Sequence, residues 1–247
     1  MNLLLLEPGE DTLKRSDPRA RHIERVLHAG VGDTLRVGVV GKETGTASIR
    51  EISQDYIRLQ VDLSSTPPPL PPLELVLGHP RPIVLKRIIR DLAAIGVGRI
   101  IVVPTDLGEK SYYSSNMWQQ VDSLLRDGAS QGGTTRLPAL TRAESLERAL
   151  VRLVAGDVAR LVLHPAQTAA VPSLHAALAE RGAAPLALAI GSERGWSERE
   201  LTSLEQHGFE RVRLGPSILR TETATAIAAW SACEHLREHQ TSLPPLS

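Results

Sequence analysis

Leu186-Ala187-Leu188-Ala189-Ile190 runs straight into Gly191-Ser192-Glu193-Arg194-Gly195-Trp196. Arg211-Val212-Arg213-Leu214 runs in the same way into Gly215-Pro216-Ser217-Ile218-Leu219-Arg220-Thr221-Glu222-Thr223. A third stretch of this kind, residues 159–163, ends in Leu163-His164-Pro165-Ala166. Each is a short apolar run closed by a loop, and helical patterns at 175–181, 198–207 and 223–238 alternate with the three runs. Apolar strands alternating with helices indicate a parallel sheet covered on both faces, an α/β fold. Ligands of such sheets sit beyond the carboxyl ends of the strands. Glycine there lets backbone approach a ligand, and proline fixes the loop shape. Three such loops on neighbouring strands predict one pocket, with apolar walls and backbone edges suited to an adenine-bearing ligand.

Working toward the N-terminus, residues 73–77 and 99–103 read as two more strands of this sheet. Residues 83–95 read as a helix between them, with Leu85, Ile88, Ile89, Leu92 and Ile95 on one face and Gly96 as its stop. Its other face carries Lys86, Arg87 and Arg90. Residues 116–128 and 145–154 read as further helices, with Ser130-Gln131-Gly132-Gly133 as a flexible connection. Pro67-Pro68-Pro69-Leu70-Pro71-Pro72 favours an extended polyproline segment without ladder hydrogen bonds. It divides the chain into residues 1–66, a linker at 67–72, and residues 73–247. In the first part Asp17-Pro18 opens a short helix that should run to Gly30. Strand-like runs at 34–40, 46–52 and 56–63 follow, and together they suggest a small barrel. Lys14, Arg15, Arg19, Arg21 and Arg25 crowd one stretch there, which suits phosphate contact or a solvated helix face.

Composition narrows the function classes. The chain has 247 residues, with 28 Lys plus Arg against 28 Asp plus Glu, so the formal net charge is zero. Net charge therefore advertises no nucleic-acid partner, although a local patch can. One cysteine, Cys233, excludes an internal disulfide and a multi-cysteine zinc site. Only one Phe, three Trp and three Tyr are present, too few for a sheet that reads RNA by stacking. The apolar start Leu3 to Leu6 is short, lacks a basic flank and is followed by acids, and no apolar run spans a bilayer. The expectation is a soluble cytoplasmic protein with no membrane contact. There is no G-x-G-x-x-G after a strand, no P-loop, no H-E-x-x-H and no G-x-S-x-G elbow. No metal is expected.

The loop sequences resemble the signature motifs of the SPOUT methyltransferases, and most of all those of the RsmE-type family. Ile190-Gly191-Ser192-Glu193-Arg194-Gly195-Trp196-Ser197-Glu198-Arg199-Glu200 resembles the family's IGPEGG-(W/F/L)-S-x-x-E stretch. Leu214-Gly215-Pro216-Ser217-Ile218-Leu219-Arg220-Thr221-Glu222-Thr223-Ala224 resembles LGPRILRTETA. Leu163-His164-Pro165 resembles LHP, and His22-Ile23-Glu24-Arg25-Val26-Leu27 resembles the HIxRVLR helix of the family's RNA-binding domain. The resemblance covers nearly the whole chain. It implies a small PUA-like β-barrel followed by a SPOUT domain with a C-terminal trefoil knot. It also implies a homodimer that binds S-adenosyl-L-methionine in the knot and methylates N3 of a uridine in 16S ribosomal RNA of the small subunit. The departures are Ser192 for Pro, Arg194 for Gly, Ser217 for Arg, and His28 at the end of the RVLR run. Asp91 and Ala94 stand where a Lys and a Glu are common, and the segment Ser111-Tyr112-Tyr113-Ser114 is atypical.

On this resemblance the cofactor loops are Leu163, His164 and Pro165, then Ile190, Gly191, Ser192, Glu193 and Gly195, and then Leu214, Gly215, Pro216, Ile218, Leu219, Thr221 and Ala224. Arg220 stabilises charge on a uracil oxygen. Glu222 takes or relays the N3 proton, with Glu193 as its rival. Arg15, Arg21, Arg25, Lys86 and Arg87 contact RNA phosphates. The helix at 227–236 is apolar on more than one face, as a subunit interface requires. Read without the resemblance, each element has an ordinary explanation: turn glycines, a structural His164, a glutamate at a helix start. Two further readings stay open, a non-catalytic RNA-binding or ribosome-assembly factor and a methyltransferase with another rRNA or tRNA target.

Overall fold

The computed structural model describes residues 2–165, 171–182 and 184–239. Ala166 of the first loop and residues 240–247 of the expected second domain lie outside the described residues. The chain forms two compact units, Met1–Pro69 with Arg126–Leu137, and Leu70–Leu125 with Pro138–Ser247.

The first unit holds β1 (Leu4–Leu6), β2 (Thr12–Lys14), α1 (Pro18–Arg25), β3 (Thr34–Val39), β4 (Thr44–Ile52) and β5 (Tyr56–Ser65). The strands form one mixed sheet in the order β1-β3-β4-β5-β2, with β1 parallel to β3 and the other pairs antiparallel. Because β1 and β2 are both edges, the expected barrel is a curled half-barrel. Two register shifts between β4 and β5 add bend. At one of them Gly45 is obligatory, since a Cβ there would lie 2.0 Å from the Asp62 carbonyl oxygen. Alternate residues, among them Val37, Val39, Ala47, Ile49, Ile57 and Leu59, point inward onto Leu4, Leu6, Leu13 and the α1 residues Ala20 and Ile23.

Helix α1 starts as expected, with Asp17 accepting from the Arg19 backbone N–H and proline in the first turn. It stops well short of Gly30. His28 adopts φ +51°, a left-handed conformation that turns the chain away and leaves Val26 60% exposed. The first unit also takes in residues 126–137, which the sequence reading placed in the second domain. Ala129 packs on Leu3 and Leu5. The Ser130 hydroxyl donates to the Leu3 carbonyl at 2.6 Å, and the Ser130 carbonyl accepts from the Leu3 N–H.

The second unit holds β6 (Leu73–Gly78), α2 (Pro82–Ile95), β7 (Arg99–Val103), 3-10 turns at Lys110–Ser114 and Asn116–Gln120, α3 (Val121–Gly132, of which residues from Arg126 on belong to the first unit), β8 (Ala139–Arg142), α4 (Leu146–Val151), β9 (Ala159–Leu163), α5 (Leu174–Ala179), β10 (Leu186–Ile190), α6 (Glu198–Gln206), β11 (Glu210–Val212) and α7 (Thr221–Glu238). All six strands are parallel, in the order β11-β9-β10-β6-β7-β8. One face of the sheet carries α2, α5 and α7, and the other carries α4 and α6. That double cover is why β6 and β10 are buried at every position. The charged exception, Glu74, is 1% exposed; it accepts from Arg99 at 2.8 Å and from the Val154 N–H at 2.8 Å.

Three local expectations are corrected. The expected helix at 116–128 is a 3-10 turn followed by α3, and Ser130–Gly132, expected to be flexible, lies inside α3. Strand β8 was not foreseen, because its mostly exposed, Arg- and Thr-bearing residues carry no apolar run. Helix α7 begins two residues earlier than its apolar pattern, so Glu222 lies in its first turn.

Candidate active site

The carboxyl ends of β9, β10 and β11 and the start of α7 enclose a cavity of about 250 Å³. Its lining includes Leu163, His164 and Pro165 from the first loop, Ile190, Gly191, Ser192, Glu193 and Gly195 from the second, and Leu214, Gly215, Ile218, Leu219, Thr221 and Ala224 from the third. Of the expected cofactor residues only Pro216 is missing from the lining. Arg194, Arg213 and Ser217 line the cavity and were not expected to. Arg213 is held in place by its own backbone, which pairs with Pro172 and Leu174, while its Nε donates to the Val171 carbonyl at 3.1 Å.

The β10 loop owes its shape to a tight turn. The Gly195 N–H donates to the Ser192 carbonyl at 2.9 Å, and Gly195 takes φ +73°. Gly191 faces the returning chain so closely that a Cβ would lie 2.7 Å from the Gly195 carbonyl carbon. Outside contacts fix the turn. The Arg81 backbone N–H donates to the Glu193 carboxylate at 2.9 Å. The Ser192 and Thr105 hydroxyls are 3.3 Å apart. Behind the turn Ser197 and Glu200 form a reciprocal cap on α6. Glu200 is 2% exposed, and its two oxygens accept from the backbone N–H groups of Ser197 and Asp106. Arg199 and Ser197 donate to Asp106, and these hydrogen bonds hold its carboxyl below the usual range. The loops after β7 and β10 are thus joined by carboxylates, a signal that spacing alone does not carry.

Arg220 and Glu222 flank the cavity instead of lining it. Arg220 is exposed and is the residue before the first turn of α7; Glu222, half-buried, lies within that turn. Arg21 and Arg25 are exposed on and at the end of α1, but Arg15 is tied to Glu24 at 2.7 Å and to the Ser53 carbonyl. In the second unit Arg87 is exposed and Lys86 half-buried on α2. Among the described residues no cluster of His, Cys, Asp and Glu could hold a metal, and no helix is long and apolar enough to cross a membrane.

Sequence reasoning missed His79, just past the end of β6. It is 3% exposed and packs against Tyr112, Tyr113 and Trp118, with ring centroids 5.5–6.3 Å away. Its Nδ1 lies 2.6 Å from the Pro80 carbonyl, so Nδ1 carries the proton and donates. Nε2 is buried without a partner, and burial lowers the imidazole's proton affinity. An unmet buried acceptor costs about 1–3 kcal/mol.

A parallel sheet with a cavity at its carboxyl ends, closed by glycine-bearing loops, is the arrangement in which α/β proteins hold their ligands. A sequence model of the RNA methyltransferase domain matches residues 66–233. The chain is 34% identical over 241 residues to the ribosomal RNA small subunit methyltransferase E of Treponema pallidum, covering 92% of this chain and 89% of the relative. It is 28% identical over 237 residues to ribosomal RNA small subunit methyltransferase E 1 of Borreliella burgdorferi, covering 93% and 96%. The fold matches that of the Neisseria gonorrhoeae ribosomal RNA small subunit methyltransferase E bound to S-adenosyl methionine, with a TM-score of 0.74, 17% identity and coverage of 93% and 95%. The chain belongs to the RsmE-type RNA methyltransferase family.

Proposed function

We propose that this protein transfers the methyl group of S-adenosylmethionine to N3 of a uridine in small-subunit 16S ribosomal RNA. The observation that carries the reading is the cavity at the ends of β9, β10 and β11. Its aliphatic walls, Leu163, Ile190, Leu214 and Leu219, suit the faces of an adenine. The backbone of the tight Gly191–Gly195 turn suits its polar edge. The cofactor supplies an activated methyl on a sulfonium, so the residues present need no metal. Volume near 250 Å³ is just under the usual range of roughly 300–1,000 Å³ for small-molecule sites.

This chain's own residues then have three tasks. The loops hold the uracil ring close to the transferred group, within roughly 3–3.5 Å. Arg220, exposed at the rim, donates to a uracil oxygen as negative charge develops there. Glu222, one turn-step along α7, accepts the N3 proton; Glu193 is less suited, because its carboxylate already accepts the Arg81 N–H. Arg21, Arg25 and Arg87 contact phosphates, with Lys86 beside Arg87; Arg15 contributes less because Glu24 neutralises it.

We further propose residues 1–66 as the RNA-binding domain, 67–72 as a linker and 73–247 as the catalytic domain, apart from Arg126–Leu137, which fold with the first unit. The C-terminal segment forms a trefoil knot. In support, α7 follows edge strand β11 yet packs on α2, β6 and β10 in the middle of the sheet. Two copies pair through α7, where Ile227 is 44% and Trp230 54% exposed. The protein works in the cytoplasm, where small subunits are assembled.

The test is calorimetric titration with S-adenosylmethionine and its demethylated product, followed by mapping the missing methyl in small-subunit RNA from a deletion strain. Binding of one cofactor per chain is expected. Arg220→Ala should then cut kcat roughly 10²–10³-fold, and Glu222→Gln roughly 10²–10⁴-fold, with cofactor affinity nearly intact. Unchanged turnover in both variants would remove them from the mechanism. No cofactor binding by folded protein would favour the RNA-binding or assembly-factor reading, and binding without a missing methyl in small-subunit RNA would favour another RNA target.

A further inference from the structure

The cavity at the ends of β9, β10 and β11 has Glu193, Arg194 and Arg213 among its lining residues. The Glu193 carboxylate accepts the Arg81 N–H, and Arg194 is exposed to solvent. Arg213 differs from both. It is half-buried, and no carboxylate lies within ion-pair distance of it among the described residues. Residues 166–170, which follow the first loop, carry no acid in the sequence either. A guanidinium stays charged at any working pH. Drawing it partly out of water without a counter-ion is unfavourable, so the site favours an anionic ligand.

Local structure aims and steadies this arginine. Val212 and Leu214 pack into the core under α2, α5 and α7, so strand alternation turns Arg213 the other way. The Arg213 N–H donates to the Pro172 carbonyl at 3.0 Å, and the Arg213 carbonyl accepts the Leu174 N–H at 2.8 Å. Its Nε donates to the Val171 carbonyl at 3.1 Å. The two terminal nitrogens remain as donors with no partner among the described residues. Such a pair of N–H groups matches the two oxygens of a carboxylate. With the backbone and Nε already held, little side-chain freedom is left to lose on binding.

S-adenosylmethionine carries one anionic group, the carboxylate of its amino-acid tail. Its sulfonium and amine are cationic, and its adenine is neutral and suited to the aliphatic walls. We propose that Arg213 binds this carboxylate and so selects a cofactor with an intact amino-acid tail. Arg220 lies outside the lining and keeps its task at the uracil. The inference rests on the reading of the cavity as an S-adenosylmethionine site.

The experiment is calorimetric titration of wild type and Arg213→Gln with S-adenosylmethionine and with its decarboxylated analogue. The analogue keeps the sulfonium and the amine and lacks only the carboxylate. The Gln side-chain nitrogen falls where the Arg Nε lies, so the donor to Val171 is kept while the charged fork is removed. Wild type should prefer S-adenosylmethionine over the analogue roughly ten- to a hundredfold, the worth of hydrogen bonding to a charged group. Arg213→Gln should lose that preference: S-adenosylmethionine binds more weakly by the same factor, and the analogue binds as before. A wild type that binds the two ligands equally overturns the proposal, and that measurement needs no variant. Equal weakening of both ligands by Arg213→Gln assigns the side chain to the shape of the loop and overturns it as well. Full-strength binding of S-adenosylmethionine by the variant also overturns it; weaker binding to small ribosomal subunits would then give Arg213 to an RNA phosphate. A folded wild type that binds neither ligand overturns the reading of the cavity itself, and the inference with it.

Discussion

Replacing Gly191 by alanine is a sharp test of the cofactor loop. The added Cβ would lie 2.7 Å from the Gly195 carbonyl carbon, 2.8 Å from the Gly195 Cα and 3.1 Å from the Trp196 nitrogen. All three neighbours are backbone, so no side chain can swing aside. Behind the turn the Gly78 backbone packs so closely that a Cβ there would lie 2.7 Å from the Ser192 nitrogen, which leaves little room for retreat. Relief therefore moves the turn by tenths of an ångström along the cavity wall. Overpacking of this kind costs about 1–3 kcal/mol. In a chain of this length that lowers Tm by roughly 2–12 °C. If the displaced backbone is the edge that holds the cofactor, most of the same energy is lost from binding. At 1.4 kcal/mol per factor of ten, affinity for S-adenosylmethionine should fall roughly ten- to a hundredfold. Calorimetry on protein shown by circular dichroism to be folded gives the answer. A folded Gly191→Ala variant that binds the cofactor at full strength would refute the placement of the ligand against this turn.

Other outcomes follow from groups away from the cavity. Glu74→Ala leaves the Val154 N–H without its acceptor and the part-exposed Arg99 guanidinium with the Arg152 carbonyl alone, so the loss of stability in urea titration should be about 1–3 kcal/mol. Asp106 is depressed by Arg199 and Ser197, so its contribution is full above its ordinary value of 3.8 and is lost as pH falls through the lower folded value. Asp106→Asn should therefore be less stable than wild type at neutral pH, and the gap should close during acid titration. Burial pushes the Cys233 thiol up to about 12. A thiol reagent at pH 8 should leave the native protein unlabelled and label it stoichiometrically in denaturant.

The parallel sheet was legible because burial on both faces writes continuous apolar runs, and 186–190 reads identically in sequence and structure. The loops were legible because glycine and proline cluster where backbone must come close. What escaped notice depends on partners distant in sequence. His28 ends α1 by a left-handed turn that nothing in an apolar helix face foretells. Glu200 looks like an ordinary helix-start acid, yet it also binds the Asp106 N–H, 94 residues away. His79 carries no local pattern; its meaning comes from Tyr112, Tyr113 and Trp118 closing around it. The unpaired edges β1 and β2 escaped because periodicity identifies strands but not the closure of a sheet.

The return of residues 126–137 to the half-barrel has a consequence for synthesis. Leu3 and Leu5 take part of their cover from Ala129 and Leu137, beside Val40 of the half-barrel, and a Cβ on Gly38 would meet Thr135. A ribosome that has made the five strands and the proline segment has not yet made the piece that completes them. The N-terminal unit must wait, with one apolar flank open, until more than half of the chain has emerged. A fragment cut at the proline segment would remain in that waiting state, inclined to stick to its own copies or to a chaperone.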